Sequence, residues 1–212
     1  LGVLDELEFV EISDLYNVMT ADGFRLTLKT DRDQVLATLQ EAFPAERTAL
    51  AAYFDLLAKF AENMIGAFIF RDPEPSREKY PQLYAHALRT ARDVLDEYFS
   101  DPMLKAVLAV YWGYLGVPPT KMAFTYLAMV FFQYCEFKPY HIKGGSQALS
   151  NAILNTFISN GGQVRFNCGA EHIAVSDGTV RSVITESGEE ITARQVVANA
   201  SPVTVYTQLI DR

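Results

Sequence analysis

Lys143-Gly144-Gly145-Ser146-Gln147-Ala148-Leu149 leads, eleven positions on, to Asn160-Gly161-Gly162-Gln163-Val164-Arg165-Phe166-Asn167, and the reading of this stretch decides the fold. Ser146 suits a helix N-cap, because its hydroxyl can accept from the first free amides. Leu149, Ile153, Leu154, Phe157 and Ile158 then recur on one side of a helix. Gly161 suits the position just past its end, where the backbone turns left-handed at no cost to glycine. The pattern then shifts to short extended runs. Residues 164–167 read as a strand, and residues 172–175 and 180–184 as two more, joined by Ser176-Asp177-Gly178. Ser187-Gly188-Glu189 turns the chain into Glu190-Ile191-Thr192-Ala193, and Gln195-Val196-Val197-Ala198 is the last strand expected, closed by Asn199-Ala200-Ser201-Pro202.

Working back toward the start, the chain opens with strands as well. Residues 8–12 and 16–20 alternate, and after Asp22-Gly23 the run Phe24-Arg25-Leu26-Thr27-Leu28-Lys29-Thr30 has strict period two. Asp-Gly between alternating runs signals a hairpin, since both residues tolerate the positive φ of a type I′ turn. Phe24, Leu26 and Leu28 would share its buried face. Asp31 with Gln34 has the form of a helix start. Val35, Leu36, Leu39 and Phe43 follow at helical spacing, and past Pro44 so do Leu50, Tyr53, Phe54, Leu57, Phe60 and Met64. Asp72-Pro73-Glu74-Pro75-Ser76 reads as a loop. Helical patterns return at 82–99 and 102–115, and Gly116-Val117-Pro118-Pro119 breaks the chain before a last helix at about 120–137. The sequence therefore reads as α+β, a helical middle framed by two sheet-forming ends, without internal repeats.

The chain has 212 residues, half of them hydrophobic, with 26 acidic against 18 basic residues and a net charge of −8. No basic cluster offers the electrostatic footprint of a nucleic-acid binder, so no nucleic-acid partner is expected. Two cysteines, Cys135 and Cys168, are too few for a disulfide framework, and reduced, buried thiols are the expectation. No signal peptide is visible at the start, and the absence of an initiating Met suggests an internal or processed piece.

The chemical inventory is thin. His86, His141 and His172 lie far apart without ligand spacing, so no metal site is expected. There is neither a nucleophile elbow nor a phosphate loop. Cys135, in an apolar helix, reads as an inert core thiol, and Glu136 beside it as a solvated helix-end charge to be checked. The helix at 120–137 is apolar nearly all round but too short for the roughly 20 residues that span a bilayer. Core helix, lining of an apolar ligand tunnel and contact with a membrane interface all remain open for it.

One ordered set of residues adds more. The Gly144-Gly145 loop, the helix after it, the Gly161-Gly162 turn, the excursion through Ile173, Asp177-Gly178-Thr179-Val180, Gly188 and Ala193, and Val196-Val197-Ala198-Asn199-Ala200-Ser201-Pro202 resemble the phytoene desaturase and carotenoid isomerase branch of the FAD-dependent, amine-oxidase-like superfamily. Asp22-Gly23, Asp31 and Phe43-Pro44 are similar to the start of that family's substrate domain. The resemblance covers nearly the whole chain. It implies a substrate-binding domain at 1–143, with a mixed sheet and a helical cap. Residues 144–212 would then be the middle segment of a Rossmann-like FAD-binding domain, a helix and a β-meander. The Gly-x-Gly-x-x-Gly fingerprint that holds the pyrophosphate, and the glycine-rich segment that closes the flavin site, are absent here. The cofactor implied for the whole protein is thus FAD, and this piece alone is not expected to hold it.

The resemblance also implies roles. The backbone at Ala170 would face the adenine, the loop holding Asn199, Ala200 and Pro202 the adenosine side, and Gly144 and Gly145 the passage between domains. The family often carries an aromatic and a proline before Lys-Gly-Gly, where this chain has His141-Ile142. Tyr111, Trp112, Phe124, Tyr126, Phe131, Phe132 and Tyr134, with His141, would be the substrate-lining set, with core packing as the alternative for the aromatics. The activity implied is oxidoreduction of a long apolar polyene or lipid by desaturation, saturation or isomerisation. A cytoplasmic location, peripheral contact with a membrane and a homodimer are the accompanying expectations. The competing readings are an amine or protoporphyrinogen oxidase, betrayed by an aromatic cage for a cation, and a non-catalytic module binding an apolar ligand.

Overall fold

The computed structural model describes residues 2–210. It divides into two compact units, one of residues 4–149 and one of residues 150–210 with residues 2 and 3. The sequence reading puts the boundary at 143/144.

In the unit of residues 4–149, strand β1 (Phe9–Glu11) pairs antiparallel with β4 (Tyr140–Ile142), so the first strand closes on a segment about 130 residues away and not on the strand that follows it. Strands β2 (Asp14–Met19) and β3 (Arg25–Lys29) form their own hairpin. Its turn differs from the one expected. Gly23 N–H donates to Thr20 O and Thr20 N–H to Phe24 O, both at 3.1 Å, and Gly23 has φ +95 while Asp22 is not among the residues with positive φ. This is a three-residue loop ending in a left-handed glycine, because the pairing partners are Thr20 and Phe24 and the extra residue leaves no place for type I′. Leu28 is buried, with Phe24 and Leu26 half-buried on the same face.

Asp31 caps α1 (Arg32–Ala42) by accepting from Gln34 N–H at 3.0 Å. A short 3-10 turn at Pro44–Glu46 leads into α2 (Arg47–Met64), the axis of the core. Leu50, Tyr53, Phe54, Leu57 and Phe60 recur at helical spacing and are buried against Val35 and Leu39 of α1. The pattern expected as one helix at 82–99 is two, α3 (Pro81–His86) and α4 (Ala91–Tyr98). The pattern expected at 102–115 is also two, α5 (Pro102–Leu108) and α6 (Trp112–Leu115). Buried Leu83 of α3 and Val94 and Leu95 of α4 carry the periodicity through the first break, whereas α6 has no buried residue. Asn63 of α2 caps α3 by accepting from Gln82 N–H at 3.0 Å. α7 (Phe124–Phe137) begins four residues after the expected start, where the backbone of Ala123 bridges that of Thr90.

A buried carboxylate ties these helices together. Oε1 of Glu46 accepts from Ser100 N–H at 2.8 Å, Ser100 Oγ at 2.7 Å and Asp101 N–H at 2.8 Å. Asp101 in turn caps α5, accepting from Met103 and Leu104 amides. The Ser100 hydroxyl, then the Asp101 amide, hold the Glu46 carboxyl below its ordinary pKa.

α8 (Ser146–Ser159) ends as expected. Gly161 has φ +85 and donates to Ile158 O, while Gly162 donates to Phe157 O, both at 2.9 Å, which together form a Schellman motif. In the second unit β5 (Ala170–Ser176), β6 (Thr179–Thr185) and β7 (Glu190–Thr192) form an antiparallel meander. Here Asp177 (φ +53) and Gly178 (φ +70) do make a two-residue type I′ turn between Ser176 and Thr179. The strands expected at 164–167 and 195–198 have no strand geometry. An extended run needs a neighbouring backbone to pair with, and neither run has one among the described residues. A short helix α9 (Pro202–Thr204) runs on into a π-helical turn, Val205–Leu209, after which Ile210 bridges Ile173 of β5.

Candidate functional site

α7 carries the aromatic residues singled out in the sequence, and its start is set by backbone pairing. Phe124 N–H donates to Arg89 O and Ala91 N–H to Met122 O, both at 2.8 Å, and Thr125 Oγ1 donates to Ala87 O at 3.0 Å. With the helix so rotated, Phe124, Leu127, Ala128, Phe131 and Cys135 fall on one face and are buried. Phe124 meets the rings of Tyr53 and Phe60, and Phe131 that of Phe54, edge to face at 5.3–6.3 Å. Phe124 and Phe131 are therefore core residues, the alternative that the sequence reading left open for them.

The opposite face is different. Tyr126 is 62% exposed and Phe137 67%, with Val130 and Tyr134 half-buried between them. Two grooves adjoin this face. One, of about 450 Å³, is lined by Leu115, Val117, Lys121, Met122, Ala123 and Tyr126. The other, of about 340 Å³, is lined by Tyr114, Val130, Gln133, Tyr134, Phe137, Lys138 and Pro139. Neither is lined by an acidic side chain, and each has a lysine. Lys138 is paired with Glu11 at 3.2 Å.

Of the residues expected to line a substrate site, Tyr126 and Tyr134 do border these grooves. Tyr111 stacks on Tyr134, with ring centroids 5.4 Å apart and planes at 14°. Its hydroxyl is buried with no partner, and burial pushes the phenol up, as it does that of Tyr16, which donates to Val107 O at 2.9 Å. Trp112 lines a separate groove with Arg92, Asp96 and Lys105, and Phe132 borders a water-sized cavity beside Arg32, Cys135 and Glu136. His141 is exposed on β4 opposite Val10 and borders none of these grooves. Burial pushes the Cys135 thiol up to about 12, which keeps it protonated and inert. Cys168, expected to be buried, is exposed, and both cysteines are free. Tyr114, Val117, Val130 and Phe137 were not singled out in the sequence. Positions 126, 130, 134 and 137 share one face of α7, but its other faces are apolar too and the spacing does not single this one out, whereas Tyr114 and Val117 sit at a glycine-proline break that reads only as a boundary.

The residues assigned to FAD can be tested against the group. Gly144 (φ +86) and Gly145 (φ +76) form the turn between β4 and α8. A Cβ on Gly145 would meet nothing within 4 Å, and on Gly144 only Ala148 Cβ at 3.5 Å, so the backbone conformation and not a close approach demands glycine. The Gly145 amide is engaged by Ile142 O at 2.8 Å. Ala170 opens β5 and is exposed, Asn199 and Ala200 are exposed, and Pro202 opens α9. Within the second unit Ala170, Asn199, Ala200 and Pro202 are exposed, and no buried side-chain polar atom among the described residues there lacks a partner, so these four residues do not by themselves fit a dinucleotide. Among the described residues no group of His, Cys, Asp and Glu could hold a metal ion.

Comparison with known proteins is consistent across the chain. The flavin containing amine oxidoreductase family matches residues 1–211. The chain belongs to that family. Among its relatives are a 4,4'-diapophytoene desaturase (4,4'-diapolycopene-forming) of Methylomonas sp, 23% identical over 97% of this chain and 41% of that protein, and a hydroxyneurosporene desaturase of Rubrivivax gelatinosus, 33% identical over 50% of this chain and 20% of that protein. A zeta-carotene-forming phytoene desaturase of Myxococcus xanthus is 33% identical over 61% of this chain and 25% of that protein. The chain spans about two fifths of the length of the curated relatives it matches end to end.

Proposed function

We propose that this chain supplies the apolar substrate surface of an FAD-dependent oxidoreductase acting on a long uncharged polyene, by desaturation or a related reaction. The carrying observation is the exposed face of α7. Two grooves lined by aromatic and aliphatic side chains adjoin one helix face, and no carboxylate borders either. A protonated amine seated there would meet Lys121 in one groove and Lys138, already paired with Glu11, in the other, with no carboxylate in either lining, which disfavours the amine-oxidase reading. An uncharged chain would lose nothing electrostatically and would gain by removing apolar surface from water.

In enzymes of this kind the flavin takes the electrons and the protein binds and orients, so a chain without a recognisable catalytic constellation is compatible with the reading. Tyr126, Val130, Tyr134 and Phe137 would hold the polyene along the helix. The partners that go with this reading are an apolar small molecule, a membrane surface met peripherally from the cytoplasm, and a second copy of the chain, with no nucleic acid. No helix among the described residues is long and apolar enough to cross a membrane.

The test is retention of ligand by the full chain on gel filtration, an acyclic polyene against an alkylamine of similar length. The polyene is expected to co-elute and the amine not to, and Val130→Glu is expected to lower polyene retention severalfold. Preferential retention of the amine by the wild type would overturn the reading.

A further inference from the structure

Trp112 stands apart from both grooves of α7. It lines a third, of about 390 Å³, which shares no lining residue with either. That size falls within the roughly 300–1,000 Å³ of small-molecule clefts. The groove lies where α4, α5 and α6 meet, and backbone hydrogen bonds fix its parts. Arg92 N–H, in the first turn of α4, donates to Pro119 O at 3.0 Å, and Trp112 N–H, opening α6, donates to Ala109 O at the end of α5 at 2.9 Å. Buried Leu95 and Ala109 form the floor, and Pro102, Pro119 and Trp112, which is 48% exposed, supply apolar walls.

The rest of the lining is charged, and unevenly so. Arg92 and Lys105 face a single carboxylate, Asp96, which leaves a charge of +1 in a chain that carries −8. Asp96 holds both cations. Its Oδ2 accepts from Arg92 Nε at 3.2 Å and its Oδ1 from Lys105 Nζ at 2.7 Å. Because Arg92 is held through Nε, its two terminal nitrogens have no partner among the described residues. Glu46 and Glu97 line an adjoining groove with these same three side chains, but both are engaged. Glu97 pairs with Arg89 at 2.6 Å, and Glu46 accepts from Ser100 and Asp101.

A guanidinium anchored at Nε presents a planar two-pronged end, which matches the two coplanar oxygens of a carboxylate. A single surplus positive charge is neutralised by a monoanion, whereas a dianionic phosphate would leave negative charge in excess. A flat ring attached to that carboxylate would lose its water against the indole and the two prolines, and would gain by stacking on Trp112. We propose that this groove binds a small aromatic carboxylate, its ring against Trp112 and its carboxylate on the end of Arg92, with Lys105 adding charge. The site is independent of the polyene surface proposed for α7.

Trp112 is the single tryptophan of the chain, so its emission reports on this groove directly. Benzoate titrated into the full chain is expected to change that emission saturably. Benzamide, with the ring but no charge, is expected to bind at least about tenfold more weakly. Cyclohexanecarboxylate, with the charge but no flat ring, is expected to bind severalfold more weakly. Arg92→Gln is expected to lower benzoate affinity about tenfold, and Arg92→Lys, which keeps the charge without the fork, nearly as much. Both variants are expected to keep the circular dichroism and the polyene retention of the wild type. An emission that benzoate leaves unchanged, or equal affinity for benzamide, overturns the site. Equal affinity for cyclohexanecarboxylate overturns the aromatic ring, tighter binding of phenyl phosphate overturns the carboxylate, and unaltered affinity in Arg92→Gln overturns the role of the guanidinium. Polyene retention lost in Arg92→Gln overturns the independence of the two sites. A wild type that binds benzoate and retains no polyene overturns the polyene reading and leaves this site standing.

Discussion

The two units reach order by different means. In residues 4–149 every helix of any length contributes to one apolar core, from Leu28 on β3 through Val35 and Leu39, the length of α2, and Leu104, Val107 and Leu108 of α5 to Phe124 and Leu127 of α7. In residues 150–210 the buried apolar side chains are Ala152, Ile173 and Val205, and the buried places on β6 are taken by Ser182 and Thr185. Phe157, Ile158, Phe166, Val197, Val203 and Tyr206 of that unit stand at least half exposed. What orders its meander is turn chemistry and ladder pairing, together with the Arg165–Glu189 ion pair. The contrast teaches that side-chain truncation should be costly in one unit and nearly silent over much of the other, while backbone changes at turns should be felt in both.

The largest effect should come from the helical core. Phe124→Ala, removing a ring that meets Tyr53 and Phe60, is expected to cost about 3–5 kcal/mol by the cavity it leaves, read by denaturant unfolding of the helical signal. A loss under about 1 kcal/mol would mean that the core is looser than its burial indicates.

Next is Glu46. Glu46→Ala removes the acceptor of three hydrogen bonds and is expected to cost about 2 kcal/mol. The same group gives a pH dependence. Its folded-state pKa is lowered, first by the Ser100 hydroxyl and then by the Asp101 amide. The stabilisation is therefore complete above the unfolded Glu value of about 4.3 and is lost as pH falls through the lower folded value. Thermal midpoints of wild type and Glu46→Gln should differ at neutral pH and converge in acid. A difference that is the same at every pH would break this account.

The two Asp-Gly turns sharpen the comparison further. Gly178→Ala puts a Cβ on a residue at φ +70 in a two-residue turn, and Gly23→Ala on one at φ +95 in a three-residue turn. Each is expected to cost about 1–2 kcal/mol from backbone strain alone, because neither Cβ would meet a neighbour within 4 Å. Equal losses, measured by denaturant unfolding, would show that strain is local. A much larger loss at Gly178 would show that the meander, with little core, depends on its turns.

The smallest effect is expected at Val197, which is 98% exposed. Val197→Ser should change stability by less than about 0.5 kcal/mol. A loss comparable to that of Phe124→Ala would erase the distinction between the units.

Legibility in the sequence followed the same division. Features written in a few neighbouring residues were readable. These include the Asp31 cap, the Schellman end at Gly161-Gly162, the type I′ turn at Asp177-Gly178 and the shared face of Phe24, Leu26 and Leu28. At the candidate site the aromatic richness of α7 was readable, but which of its rings faces the core was not. A helix apolar nearly all round has no periodicity to mark its inner face, and the Thr90–Ala123 bridge, made with a segment more than thirty residues away, sets its rotation.

By itself, the sequence determined where α1 starts, where α8 stops and where the chain turns at Asp177-Gly178, because caps and left-handed glycines act through bonds and contacts within about four residues. Tertiary structure alone decided that β1 pairs with β4, that Glu46 serves as the acceptor joining α4 to α5, that Phe124 and Phe131 are core while Tyr126 and Phe137 are surface, and that residues 164–167 and 195–198 stay out of the sheet. Each of these depends on which distant backbone or side chain arrives to take a hydrogen bond or cover a face, and no local pattern records that partner.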